Sequence, residues 1–121
     1  MVREYIPVDK DNLPEQFEID LGEETYILRF DYNQEYDFFT VDLYDASLNP
    51  IVLGEKMMLN RQLWVDVIRD VPAPTLIPVD ESGKATRITF SNFMETVFLF
   101  VDDTLDEEEP NLDDEVDNNG D

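Results

Sequence analysis

The side chains of this chain that could do chemistry are almost all carboxylates. Thirty Asp and Glu residues stand against eight Lys and Arg, with no His and no Cys in 121 residues. No imidazole is available for a Ser-His-Asp relay, no thiolate for nucleophilic attack, and neither group for a zinc centre. The glycines at 22, 54, 83 and 120 stand apart, so there is no glycine-rich phosphate loop. A pair of carboxylates could act as acid and nucleophile on a glycosidic bond. At this acidic density some pair falls within range by chance, and a solvated acidic face is the simpler account. Glu115, Asp117, Asn119 and Gly120 imitate the opening of an EF-hand loop. Glu replaces the usual Asp at its first position and no bidentate Glu follows at the twelfth, so weak cation attraction is the expectation. The sequence therefore offers no catalytic residue, no metal site and no cofactor site. Trp64 with Tyr5, Tyr26, Tyr32, Tyr36 and Tyr44 could make a sugar- or peptide-binding platform, although aromatics on strands more often pack.

The elements that would position any of these groups read as strands. Phe17, Ile19 and Leu21 alternate with Glu18 and Asp20, the period-2 pattern of a strand with one buried face. Tyr26, Leu28, Phe30 and Tyr32 share a face opposite Arg29 and Asp31. Phe39, Val41 and Leu43 share one opposite Phe38, Thr40, Asp42 and Tyr44. Short polar breaks join these runs, so residues 17–45 predict a three-strand antiparallel meander, with Gly22 able to supply the positive φ of a tight hairpin.

Around the meander, residues 2–8 predict an edge strand or arm, because Pro7 lacks a ladder donor. Pro50 opens a fourth apolar run that Gly54 interrupts, as a bulge would. Residues 60–70 fit both periods, and their β-branched content favours extended structure. Residues 75–79 predict an edge strand broken by Pro78, residues 86–90 another short strand, and residues 91–95 one helical turn capped by Ser91. The run from Val97 to Val101 predicts a central strand. About seven or eight short strands in roughly 100 residues predict an all-β fold, a small antiparallel β-barrel or β-sandwich. The expected organisation is a β-domain at 1–103 and an acidic disordered tail at 104–121, whose like charges repel and whose isolated apolar residues cannot offset chain entropy.

Charge narrows the partners. Residues 102–121 hold 11 of the 30 acids and no base, and the remaining 101 residues still carry 19 acids against 8 bases. Such a surface repels nucleic-acid phosphates and anionic lipids, so neither nucleic acid nor membrane is expected as a partner. No opening apolar run has signal-peptide length and no stretch could span a bilayer, so a soluble, cytoplasmic product is the default expectation. The strand at 36–45 carries apolar bulk on both faces, which calls for cover by a second layer or by another chain. Phe38 and Tyr44 are the candidate protein-contact face.

Three segments carry a family resemblance: Phe17-Glu-Ile-Asp-Leu-Gly-Glu-Glu-Thr-Tyr-Ile-Leu-Arg-Phe-Asp-Tyr-Asn33, Phe38-Phe-Thr-Val-Asp-Leu-Tyr-Asp45 and Pro50-Ile-Val-Leu-Gly-Glu-Lys-Met57. Together they resemble the small phage-tail proteins related to the cyanophage baseplate plug, over the first half to two-thirds of the chain, and the Val-Phe-Leu-Phe-Val run at 97–101 fits a closing strand of that family. The resemblance implies a non-enzymatic structural subunit of a phage or prophage tail baseplate, in the plug or hub region at the end of the tube. It implies other tail proteins as partners in a multi-copy assembly, and a virion location after synthesis in the host cytoplasm. Two other readings of the residues stand beside it: an acidic DNA mimic that inhibits a basic partner, and, third, a sugar-binding β-domain.

Overall fold

In the computed structural model, which describes residues 4–65, 67, 72 and 75–102, the alternating runs become strands where the pattern places them. β1 (Glu15–Leu21), β2 (Glu24–Asn33), β3 (Phe38–Asp45) and β4 (Pro50–Lys56) form one antiparallel sheet in the order β1-β2-β3-β4. Leu21 pairs with Glu24 across a two-residue turn in which Gly22 takes φ 67°, a conformation only glycine adopts at little cost. The β3–β4 pairing shifts register between Val41 and Leu43 and again before Tyr44. Gly54 lies in this irregular stretch at φ 72°, as the bulge expectation required.

β5 (Thr75–Asp80) and β6 (Val97–Asp102) form a second antiparallel sheet. The N-terminal arm joins it: Tyr5 bridges Phe100, and the Ile6 N–H donates to the Leu99 carbonyl at 2.8 Å. β6 is thus central, with β5 on one side and the arm on the other. Pro78 does not break β5. Its carbonyl accepts from the Asn60 N–H, so its backbone polar groups point away from β6 and the missing N–H costs the ladder nothing.

One core joins both sheets. Leu28, Phe30, Phe39, Val41 and Leu43 from the first sheet and Leu76, Val97 and Leu99 from the second are fully buried in a single cluster. Loop residues fill the space between them, notably Met57, Leu63, Trp64, Ile88 and Phe93.

Four expectations are corrected. The described residues hold six strands rather than seven or eight, and the two sheets do not close into a barrel. Around residues 60–65 the chain turns rather than extends: Trp64 takes φ 64°, and Leu63 and Trp64 are buried from a turn. Residues 86–90 form a loop, not a strand. Residues 91–95 form a turn, with no helix, and Asn92 organises it in place of Ser91: its side chain accepts from the Thr89 N–H at 2.8 Å and its carbonyl accepts from three following amides. The acidic segment 104–121 lies outside the described residues.

Candidate contact surface

Alternation along β3 decides where the candidate residues point. With Phe39, Val41 and Leu43 at 0% exposure, Phe38, Thr40, Asp42 and Tyr44 face away from the core. Phe38 and Tyr44 are both half-buried and lie on the same face, but six residues separate them by about 20 Å of strand. Thr40 and Asp42 lie between, opposite Asp31 and Arg29 of β2. The structure therefore places the pair in two separate settings.

At the Tyr44 end the partners across the sheet are Ile27 and Pro50. Ile27 is on the outer face yet only 7% exposed, flanked by Glu18 of β1 and Tyr44 of β3. The adjoining turn is fixed by Asp45, whose carboxylate accepts from the Ser47 and Asn49 N–H groups and from the Asn49 amide. These bonds, led by those from Asn49, hold the Asp45 carboxyl below its ordinary range.

At the Phe38 end the Lys56 ammonium stands 4.7 Å from the ring centroid, a cation–π contact. A cleft of about 220 Å³ opens beside it, lined in part by Tyr36, Phe38, Lys56, Met58, Arg87 and Ile88. Tyr36 at 66% exposure and Met58 at 45% leave apolar surface in water there. Two bases, Lys56 and Arg87, flank this surface on a chain of net charge −22. Sequence reading missed Met58 and Arg87, and placed Tyr36 in the aromatic set rather than beside Phe38. The available signal was an aromatic residue in a polar turn, where no core packing requires one.

The cleft is built on a tied turn. Asp37, at φ 58°, accepts from the Tyr32 hydroxyl at 2.7 Å and from the Phe90 N–H at 2.9 Å, and Arg87 lies 3.4 Å from its other oxygen. The Tyr32 hydrogen bond, then the Phe90 amide, hold the Asp37 carboxyl low against partial burial, and the same Tyr32–Asp37 bond raises the phenol. Lys10 adds a second tie, donating to the Phe90 carbonyl at 2.5 Å with its ammonium 4.9 Å from the Phe90 ring centroid.

The aromatic platform does not form. Trp64 and Tyr26 are buried, and Tyr32 packs against Phe39 and Phe90, leaving Tyr5 and Tyr36 as the exposed members of the set. Among the described residues no three Asp or Glu side chains gather as a metal site, and no helix is long and apolar enough to cross a membrane.

The molecule is a small two-sheet β domain in which the carboxylates of Asp37, Asp45 and Asp80 tie turns and the exposed side chains of Tyr36 and Met58 lie beside one of them. The sequence profile of the cyanophage baseplate Pam3 plug gp18 family matches residues 3–106, and the chain belongs to that family, a family of phage baseplate structural proteins. The match spans both sheets, further than the segments that carry the resemblance in sequence. No curated protein matches the chain.

Proposed function

We propose that this chain is a non-enzymatic structural subunit of a phage or prophage tail baseplate, acting in the plug or hub region at the end of the tail tube. The observation that carries the reading is the family match over residues 3–106, which takes in every strand of the domain. In this reading the chain is made in the host cytoplasm and incorporated into virions in several copies, contacting hub and tube-end proteins. The unit that does this is the β-domain at 1–103, with 104–121 as an appended acidic tail. A plug must be rigid and must present contact surface, and it needs no reactive centre or cofactor. Phe38 and Tyr44 serve as contact residues, Phe38 with the exposed Tyr36 and Met58 beside it.

The test is composition. Tails purified from particles that encode this chain are expected to contain it at a fixed ratio to the hub protein by quantitative mass spectrometry. Tails assembled without the gene are expected to lose the density at the end of the tube in electron cryomicroscopy. Mature, infectious tails that lack the protein would overturn the reading.

A further inference from the structure

A β-sheet edge exposes unpaired N–H and C=O groups, and native domains protect such edges. Here β6 is flanked by β5 and by the arm, through Ile6 to Leu99 and Val101 to Glu4, each at 2.8 Å. The far edge of β5 is met by the Asn60 N–H on the Pro78 carbonyl and the Leu63 N–H on the Leu76 carbonyl. The far edge of β4 is irregular: it opens on Pro50, shifts register twice, and turns the Gly54 N–H onto the Asp42 carboxylate at 2.6 Å. β1 differs from all of these. Its seven residues pair with β2 in continuous register, and no described residue pairs with its other side. Counting from the Leu21–Glu24 closing pair, the backbone groups of Gln16, Glu18 and Asp20 point outward from the sheet.

Beside this edge lies a largely apolar cleft of about 600 Å³, lined in part by Ile6, Pro7 and Val8 of the arm and by Phe17, Glu18 and Ile19 of β1. Phe17 and Ile19 are half-buried on the inner face, while Glu18 and Asp20 are exposed on the outer face.

We propose that the β1 edge is a docking site for an extended segment of a partner protein in which basic and apolar residues alternate. Added strands bind through main-chain hydrogen bonds and take their specificity from alternate side chains. On the outer face the added strand meets Glu18 and Asp20, where Lys or Arg pairs favourably. On the inner face it meets Phe17, Ile19 and the cleft toward Ile6 and Val8, where aliphatic residues bury surface. Charge argues against the nearer candidates. A second copy pairing β1 with β1 about a two-fold at Glu18 sets Glu18 against Glu18 and Gln16 against Asp20. The chain's own segment 104–121 carries nine acids and no base, the wrong sign for this face. The proposal goes beyond the baseplate reading and is tested without it.

The full chain, labelled with nitrogen-15, is titrated with a short capped peptide alternating Lys and Val. A Glu-Val alternating peptide and a block peptide with the Lys-Val composition serve as controls. The expected result is slowed hydrogen exchange at the Gln16, Glu18 and Asp20 amides with the Lys-Val peptide alone. The double variant Glu18→Lys, Asp20→Lys is expected to keep the wild-type denaturation midpoint, to bind the Lys-Val peptide roughly tenfold more weakly, and to gain binding of the Glu-Val peptide. Equal binding of the alternating and block peptides would overturn the proposal in favour of general attraction to an acidic surface. Protection of the three amides without peptide would overturn it too, in favour of self-pairing where it grows with concentration, or of the chain's own acidic segment where truncation after Asp103 removes it.

Discussion

The Tyr32 hydroxyl donates to the Asp37 carboxylate at 2.7 Å, and through the same oxygen Asp37 takes the N–H of Phe90, 53 residues further along the chain. One carboxylate therefore ties the β2–β3 turn to the loop that carries Arg87 and Phe90, and so shapes the cleft beside Phe38. Asp37 also sits at φ 58°, which Asp and Asn tolerate better than most residues. Asp37→Asn keeps that tolerance and one acceptor oxygen, whereas Asp37→Ala loses both. Urea midpoints are expected to fall in the order wild type, Asn, Ala. Superimposable curves for all three would show that the tie contributes nothing.

Asp80 gives a pH prediction. It is 8% exposed and accepts from the Ser82 hydroxyl and N–H at 2.6 and 2.9 Å, from the Ala85 N–H at 2.8 Å and from the Lys84 N–H at 3.2 Å. The Ser82 hydroxyl bond, then the Ala85 amide, hold its carboxyl below the ordinary 3.8, outweighing burial. A carboxyl depressed on folding contributes stability above its unfolded value and loses it as pH falls through the folded value. Asp80→Asn is thus expected to be less stable than wild type at neutral pH, with the gap closing as pH drops below about 3.8. The difference between the two proteins is the readout, because neutralising other acids on a chain of net charge −22 relieves repulsion in both. A gap that stays constant across the titration would contradict the assignment.

Alternation made the first sheet legible. β1 to β3 each place one residue in two against the core, and their sequences say so directly; the burial of Phe39, Val41 and Leu43 is the strand period itself. What escaped was burial from irregular backbone. Leu63, Trp64 and Phe93 are core residues carried by turns, all three flanked or held by positive φ at Trp64 and Met94, so neither the strand nor the helix period describes their backbone. The 86–90 loop misleads for a related reason: Ile88 is buried as a strand residue would be, but the backbone is held by side chains, with Asn92 bonding the Thr89 N–H and the Arg87 carbonyl. The candidate contact surface was half legible. Phe38 stands out as excess apolar bulk on a two-sided strand, whereas its association with Tyr36, Met58 and Arg87 needs three segments brought together by the fold.

Trp64 offers a direct reporter because it is the single tryptophan. It is 2% exposed, its backbone N–H donates to the Glu55 carboxylate at 3.0 Å, and its indole Nε1 has no hydrogen-bond partner among the described residues. Native emission is expected to be blue-shifted and protected from acrylamide, moving red in one step on unfolding. Trp64→Ala is expected to cost ~3–5 kcal/mol by opening a core cavity. Trp64→Phe should cost less, because it keeps most of the ring volume and removes a buried donor without a partner. Phe costing as much as Ala would indicate that the indole nitrogen is satisfied after all.

Residues 104–121 contain few apolar residues and nine acids, so they can bury little surface on the domain. Truncation after Asp103 is expected to leave the thermal midpoint nearly unchanged or to raise it slightly by relieving repulsion. A large drop would show that the segment docks on the fold.

The two faces of β3 should respond differently to substitution. Leu43 is 0% exposed, and Leu43→Ala is expected to cost ~2–5 kcal/mol, the range for emptying a tightly packed leucine site. Phe38 and Tyr44 are half-buried on the other face, where a polar side chain can still reach water. They should also differ from each other. Tyr44 stands opposite Ile27, 7% exposed, so Tyr44→Asp uncovers an apolar neighbour and sets a charge beside it. Phe38 instead adjoins Tyr36 and Met58, which are already exposed, so Phe38→Asp removes little that the folded monomer uses. The expected order of destabilisation is Leu43→Ala first, then Tyr44→Asp, then Phe38→Asp. In capture by the neighbouring tail proteins the order should invert: Phe38→Asp folds near the wild-type midpoint yet is retained poorly, because with Tyr36 and Met58 it forms apolar surface that a partner would cover. If Phe38→Asp folds and is retained like wild type, the contact surface lies elsewhere on the domain. If it unfolds the domain as severely as Leu43→Ala, Phe38 belongs to the core rather than to an interface.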